Sequence, residues 1–211
     1  GMIPQLAARF ETAAQLPGAE YLAKLRYLIL PIREADAVPQ PLRCKTLLEL
    51  PRAAFGTVEP DTMRRLAALE GSDFAGVVAN NLAQFGYASP LPVFGGLGLN
   101  VTNPMSAAEY VCLGACCLLV QPETALTAMR AVAPRQKDGT PVPTAALCYG
   151  HLPLMLTRAC PLRNVRTSCA GCTHKGKLRD RKGRDFPVRC SAPGSAGMRT
   201  VFNPVPLYMG A

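Results

Sequence analysis

The 211-residue chain has no tryptophan, few aromatic residues (6%) and only two histidines, His151 and His174. Neither histidine belongs to an H-E-x-x-H motif, and no serine stands in a G-x-S-x-G turn. The sequence therefore does not indicate a zinc peptidase or a serine hydrolase of the common kinds. A peptidase would need another nucleophile, such as a thiol paired with His151.

The chain also lacks a long apolar run and a basic start followed by an apolar stretch. Its longest apolar run is CLGACCLLV, residues 112–120. A helix needs about 20 apolar residues to span a bilayer. We therefore expect a soluble, cytoplasmic protein with no membrane partner.

Cysteine is abundant, with nine residues. The odd number and the missing secretion signal argue against a fully paired disulfide framework. Five cysteines stand in apolar or strand-like runs and are expected to be buried thiols that pack as small hydrophobic side chains. These five are Cys44, Cys112, Cys116, Cys117 and Cys148.

Short apolar runs alternate with helix-like segments about five times, which predicts parallel βα units in an α/β fold. The predicted strands span residues 25–32, 44–51, 73–81, 91–100, 115–120 and 145–156, and the main helices 59–71, 103–114 and 121–134. The strands could close into a barrel or lie open as a sheet, and a full eightfold barrel needs roughly 250 residues. We predict a partial or complete TIM-like βα barrel over residues 2–156. An irregular cysteine-rich segment, residues 157–211, is expected to pack on it.

The glycines of FGGLGLN do not match the spacing of a phosphate-binding loop. Gly95, Gly96 and Gly98 are instead expected where two backbones approach closely.

Polar residues recur where the predicted strands end. In parallel sheets these carboxyl ends share one face, where ligands bind. The candidates for this barrel mouth are Glu49, Arg52, Asn80, Asn81, Asn100, Asn103, Glu123 and His151. Each residue taken alone also suits a helix cap or a turn.

The last four cysteines have the spacing C-x8-C-x2-C-x17-C, at Cys160, Cys169, Cys172 and Cys190. The C-x2-C pair can chelate one centre across a tight turn that Gly171 favours, and four thiolates suit zinc or an iron–sulfur cluster. His174 could replace one ligand. A redox dithiol or unligated thiols remain alternatives, although a redox C-x-x-C usually opens a helix after a strand. The wide, irregular spacing resembles a cluster site more than a small zinc finger.

Positive charge is concentrated in the same region. Residues 158–190 contain ten of the 23 Lys and Arg residues and only two of the 14 acids. Such a patch can attract a polyanion such as nucleic acid, and it can also be a solvated loop. The cations are Arg158, Arg163, Arg166, Lys175, Lys177, Arg179, Arg181, Lys182, Arg184 and Arg189.

Several stretches resemble the collagenase-like peptidase family U-thirty-two. The most specific are YGHLPLMLTRACP, CAGC, LRDRKGRDFPVRC and FNPVPLYM, and the weaker ones are KLRYLILPI, LLELPRAAFG and GLGLNVTN. The resemblance runs from about Leu25 to Met209.

The resemblance implies a TIM-like barrel whose earlier strands belong to a longer parent chain. It also implies that the four cysteines of the C-x8-C-x2-C-x17-C set hold a four-iron iron–sulfur cluster, with zinc as an alternative or replacement. The implied activity is oxygen-independent hydroxylation of an RNA pyrimidine or a quinone precursor, with prephenate implicated. We expect RNA to be the partner of the basic segment. The alternatives are a collagenase-like peptidase and a non-catalytic structural domain in which a metal holds the basic segment on the barrel.

Overall fold

The computed structural model describes residues 4–87, 89–162, 169–191 and 197–209. The chain divides into two compact units. The first contains Gly1–Ala54 and Glu59–Ala146, and the second contains Phe55–Val58 and Leu147–Ala211. The longer stretch of the second unit begins at Leu147, whereas the boundary predicted from the sequence lies after residue 156.

The first unit is built on a curled sheet of seven parallel strands, which lie side by side in chain order. A doubly wound sheet would reverse its strand order, whereas uniform order is that of a βα barrel. β1 and β7 are the two edges, so the sheet is a half-barrel, and the partial barrel predicted from the sequence is confirmed. The strands are β1 (Ala7–Arg9), β2 (Tyr27–Pro31), β3 (Thr46–Glu49), β4 (Gly76–Ala79), β5 (Val93–Gly95), β6 (Ala115–Val120) and β7 (Thr144–Ala146).

Short helices connect these strands. No helix among the described residues is long and apolar enough to cross a membrane. The α-helices are α1 (Ala19–Leu22), α2 (Gln40–Arg43), α3 (Val58–Ala67), α4 (Pro104–Cys112) and α5 (Leu126–Ala131). Short 3-10 helices span Ala13–Gln15, Ile32–Ala37, Leu82–Tyr87 and Leu97–Leu99.

Two apolar clusters form the core of this unit. One surrounds Leu30, Leu48 and Val77 on the first strands, and the other surrounds Leu118 and Val101. All four residues of β4 are buried, as expected for a strand that is covered on both faces.

The second unit contains a four-stranded antiparallel sheet in the order β10-β11-β12-β9, and a two-stranded ribbon of β8 and β13. Its strands are β8 (Tyr149–Gly150), β9 (Pro153–Thr157), β10 (Lys175–Arg179), β11 (Asp185–Cys190), β12 (Arg199–Phe202) and β13 (Leu207–Tyr208). The segment predicted to be irregular therefore contains regular strands.

The single strand predicted over residues 145–156 is wrong. The chain leaves the parallel sheet after Ala146 and enters two other sheets as β8 and β9. Gly150 has φ +143°, a conformation that side chains rarely adopt, and Pro153 cannot donate a main-chain hydrogen bond. These two residues flank the break between β8 and β9, and residues 147–148 separate β7 from β8, within an apolar run that looks continuous.

The expectation of five buried thiols is wrong for three of them. Cys44, Cys112 and Cys148 are exposed, and only Cys116 and Cys117 of β6 are partly buried. Burial, followed by the neighbouring Cys116 thiol, raises the pKa of Cys117 to about 11. The exposed cysteines lie near element ends, where an apolar sequence does not guarantee an inward side chain.

The close approach predicted at the glycines after β5 is confirmed. A Cβ atom at Gly98 would lie 2.1 Å from the main-chain oxygen of Asn80, and one at Gly96 would lie 2.5 Å from Asn80 Oδ1. A Cβ at Gly95 would lie 2.5 Å from Leu118 Cδ2. The segment after β4 and the segment after β5 are therefore in contact through their backbones.

Gly98→Ala should destabilise the chain by about 1–3 kcal/mol, because the added methyl group meets main-chain atoms that cannot rotate away. Gly86→Ala is the matched control, since nothing lies within 4 Å of its added Cβ. Urea unfolding of both variants gives the two changes in the free energy of unfolding. Equal stabilities would contradict this close packing.

Candidate functional site

The carboxyl ends of β1, β3 and β4 meet around one carboxylate, that of Glu49. Its Oε2 accepts a hydrogen bond from Arg9 Nε at 2.7 Å, and its Oε1 accepts one from Asn80 Nδ2 at 3.3 Å. Parallel strands that lie in register bring these three residues to the end of the sheet where the strands have their carboxyl ends, which we call the carboxyl edge. Two predicted mouth residues, Glu49 and Asn80, are thus in contact.

Arg9 belongs to a chain of alternating charges. Its Nη1 also lies 2.6 Å from Glu11 Oε1, and Glu11 Oε2 lies 3.7 Å from Arg33 Nη2. Burial lowers the pKa of Arg9, but the charges of Glu49 and Glu11 and their hydrogen bonds outweigh it and raise the pKa. Arg9 therefore stays protonated and holds Glu49 in place.

Asn80 is 2% exposed and uses its whole amide within the protein. Nδ2 donates to the carbonyl oxygen of Leu50 at 3.1 Å, and Oδ1 accepts from Gly98 N at 3.2 Å. The main-chain N–H of Asn80 donates to Gln84 Oε1 at 2.6 Å, and Gln84 Nε2 donates to Pro51 O at 2.7 Å. These two buried amides tie the ends of β3, β4 and β5 together.

Arg52 is the cation at this edge with no carboxylate within ion-pair distance among the described residues. Burial lowers its pKa and the charge of Arg9 adds to this, whereas Glu49 opposes it. The carbonyl oxygen of Arg52 accepts from Asn81 Nδ2 at 3.4 Å, and the buried Asn81 Oδ1 has no partner in the described part of the chain. Arg52 can thus offer a positive charge to an anion at the mouth.

The predicted residues on the later strands serve the local backbone. Asn103 caps α4, with Oδ1 accepting from Ser106 N at 2.9 Å. Asn100 has left-handed backbone angles, and its Oδ1 accepts from Gln121 Nε2 at 3.1 Å. Glu123 is exposed in the loop after β6. Cap and turn functions account for both asparagines.

Two members of this edge, Arg9 and Gln84, are absent from the sequence-based set. β1 is a three-residue strand, AAR, with no apolar run that would reveal it. Gln84 lies in a 3-10 helix and is 1% exposed, which a polar residue in a loop-like sequence does not indicate. Neither residue stands in a sequence pattern that predicts a position at this edge of the sheet.

His151 lies in the second unit, whereas the other mouth candidates lie in the first. Its Nδ1 is 2.7 Å from the carbonyl oxygen of Asn203, and Asn203 Oδ1 accepts from Leu152 N at 2.7 Å. The imidazole is thus held by the chain that precedes β13.

The four cysteines of the C-x8-C-x2-C-x17-C set lie toward one end of the antiparallel sheet. Cys190 is the last residue of β11 and pairs in register with Arg199, which pairs with Thr157 near the end of β9. Cys160 follows β9, and Cys169 and Cys172 precede β10, whose Lys175 pairs with Arg189. Antiparallel pairing thus brings three separate stretches of chain that carry the four thiols toward the same end of the sheet.

The turn predicted for the C-x2-C pair is confirmed. Cys172 N donates to Cys169 O at 3.1 Å, and Gly171 has φ +66°. Cys190 N donates to the carbonyl oxygen of His174 at 2.9 Å, which links this turn to the end of β11.

The thiols fit a metal centre in donor chemistry and in topology. Arg199, which is 3% exposed, lies opposite Cys190 in the register of β11 and β12 and brings a cationic residue to this end of the sheet. Such a charge would offset part of the negative charge of a four-thiolate centre. Within the described ranges, however, no three His, Cys, Asp or Glu side chains are close enough together to hold a metal ion.

The basic region of this unit is the hairpin formed by β10 and β11. Lys175, Lys177 and Arg179 alternate along the exposed face of β10. Asp185 contacts two of them, with Oδ2 2.6 Å from Lys177 Nζ and Oδ1 2.7 Å from Arg179 Nε. The hydrogen bonds from Arg179 and Lys177 hold the pKa of Asp185 well below its usual range.

The other predicted cations differ in their surroundings. Arg158 stacks on Phe55, with its guanidinium carbon 5.4 Å from the ring centre. Arg189 is partly buried and donates to the carbonyl oxygen of Val188. Arg181, Lys182 and Arg184 are exposed in the hairpin turn, and Arg163 and Arg166 lie outside the described residues.

Comparison with family models, with curated proteins and with solved structures found no match to this chain. The resemblance to family U-thirty-two stays a prediction that rests on the motifs quoted above.

Asn80→Asp should destabilise the protein by on the order of 3 kcal/mol at neutral pH, because the lost donor faces Leu50 O and the Glu49 carboxylate. Burial and Glu49 should raise the pKa of the introduced carboxyl above its unfolded value of about 3.9. The penalty should then shrink as pH falls toward about 4, because the folded state binds a proton that the unfolded state lacks.

Asn103→Asp is the control, since an aspartate caps a helix as well as an asparagine does. Urea unfolding of both variants and the parent between pH 4 and 8 measures the difference. A penalty for Asn80→Asp that does not change with pH would contradict the buried amide network.

Proposed function

We propose that this chain is an iron–sulfur protein of the U-thirty-two type that acts on RNA and supports hydroxylation of a pyrimidine. The observation that carries the proposal is the placement of four thiols, from three separate stretches of chain, toward one end of one sheet. The reaction class comes from the resemblance of the motifs.

In this proposal Cys160, Cys169, Cys172 and Cys190 hold the cluster. When bound, a four-iron cluster supplies an electron-transfer centre. The protein's part is to orient the thiolates, and the turn at Gly171 and the register of β11 with β12 support that role. Arg199 would offset part of the negative charge.

The basic hairpin supplies the RNA contact. Cations on an exposed strand face and turn neutralise phosphates and release condensed counterions, so affinity should fall steeply as salt rises. Within the parallel half-barrel, the edge around Glu49 and Arg52 is where a small reactant would bind, as in other βα barrels.

The peptidase alternative gains no support from the histidines. His151 is bound to the Asn203 carbonyl, and His174, with φ +58°, lies in the link between Cys172 and β10. A metal held by four thiolates also lacks the open position that hydrolysis requires.

Anaerobic purification tests the centre. The full chain should be brown and contain about four irons, whereas a colourless protein with one zinc would contradict the cluster. Cys172→Ser should lose most of the iron, and Cys44→Ser, which changes an exposed thiol outside the set, should keep it. Metal analysis and visible absorption measure both variants.

Activity is tested in a host that lacks its own RNA hydroxylation. RNA from cells that express the full chain should contain a pyrimidine nucleoside one oxygen atom heavier, and RNA from cells with Cys172→Ser should not. Mass spectrometry of digested RNA measures this. Iron-loaded protein that yields no such nucleoside would contradict the RNA reaction while leaving the centre in place.

A further inference from the structure

The cations toward the turn end of the hairpin, residues 177–184, fall into two groups with different surroundings. Lys177 and Arg179 share the carboxylate of Asp185, and Arg179 meets both of its oxygens, at 2.7 and 3.0 Å. No carboxylate lies within ion-pair distance of Arg181, Lys182 or Arg184 among the described residues. Lys177 and Arg179 therefore share one negative charge through ion pairs, whereas the three cations of the turn make no ion pair with a described residue.

The second acid of the hairpin, Asp180, is used by the backbone. Its Oδ1 accepts from the main-chain N–H groups of Lys182 at 2.8 Å and of Arg184 at 2.9 Å. Asp180 N also donates to Arg184 O, and Gly183 has the positive φ that the turn requires. The turn is thus held by the Asp180 carboxylate and by main-chain groups, and not by its basic side chains.

The turn and the cysteines occupy opposite ends of the hairpin. The cysteines lie before β10 and at the end of β11, and the turn joins the other two strand ends. At about 3.4 Å per residue, the five residues of β10 separate the two by roughly 15 Å. Charge at the turn is therefore too far away to serve as local compensation for the thiolates.

We propose that the turn of residues 180–184 is the main phosphate-binding element of this unit, with Arg181, Lys182 and Arg184 contacting the RNA backbone. Lys177 and Arg179 instead stabilise the hairpin through Asp185. The inference rests on the proposed RNA function and goes further, because it assigns the contact to three of the ten cations of the basic region. A preorganised turn with exposed, unneutralised cations binds phosphates without first breaking an ion pair.

The test compares RNA affinity for the full chain and for Arg181→Gln/Lys182→Gln/Arg184→Gln, measured by fluorescence anisotropy with a labelled RNA stem-loop between 50 and 300 mM salt. At a slope of about 0.7–0.9 per phosphate contact, losing three contacts should lower the salt slope by about 2–3 and the affinity at 0.1 M salt by about 100-fold or more. Circular dichroism and iron content should not change, because Asp180 and Gly183 are kept.

Two control variants make the assignment specific. Lys24→Gln/Arg130→Gln/Lys137→Gln removes the same charge from exposed positions outside the hairpin and should leave the salt slope nearly unchanged. Lys177→Gln/Arg179→Gln/Asp185→Asn removes the strand cations with their shared acid and should also leave it nearly unchanged.

Each outcome decides between the two proposals. A parent protein that shows no salt-dependent RNA binding would overturn the proposed RNA function and this inference with it. A parent that binds RNA while the turn variant keeps the same salt slope would overturn the inference alone. An equal loss in the strand variant or in the charge-matched control would also show that the turn is not the main contact.

Discussion

The buried amide of Asn80 is the contact on which the parallel half of the molecule depends. Its Nδ2 donates hydrogen bonds to Leu50 O and to the Glu49 carboxylate, and its Oδ1 accepts one from Gly98 N. Asn80 also leaves no room for a side chain at Gly96 or Gly98. A buried polar group that loses its hydrogen-bond partner costs about 1–3 kcal/mol. The carboxylate of Glu49 is therefore held from two sides, by the amide of Asn80 and by the guanidinium of Arg9.

The second unit is organised by a different constraint, the register of an antiparallel sheet. Pairing of β11 with β12, and of β12 with β9, sets Cys190, Arg199 and Thr157 in one row across the sheet. The same register opposes Arg179 to Asp185 at the other end of the hairpin. Thiols and unneutralised cations thus lie at opposite ends of one element, which suits separate functions for the two.

The sequence predicted much of the parallel sheet because its strands are apolar runs that are buried on both faces. β6 has the predicted bounds of 115–120, and β2 to β5 each lie within their predicted segments. The strand prediction failed where one apolar run passes between sheets, near Gly150 and Pro153. It also missed a strand as short as Ala7–Arg9. Apolar periodicity reports burial, but it does not report which sheet a segment joins.

For the candidate sites, residue type and spacing were enough to predict the donor chemistry: four cysteines with a C-x2-C turn, a run of cations with only two acids, and polar residues after buried strands. These properties need no tertiary contact. Which of these residues meet depends on how the strands pair. Strand register brought Glu49 to Arg9 and Asn80, left Asn100 and Asn103 to the local backbone, and gave one carboxylate to Lys177 and Arg179. The physical reason is that ion pairs and buried hydrogen bonds form between residues distant in sequence, and only the pairing of strands sets those distances.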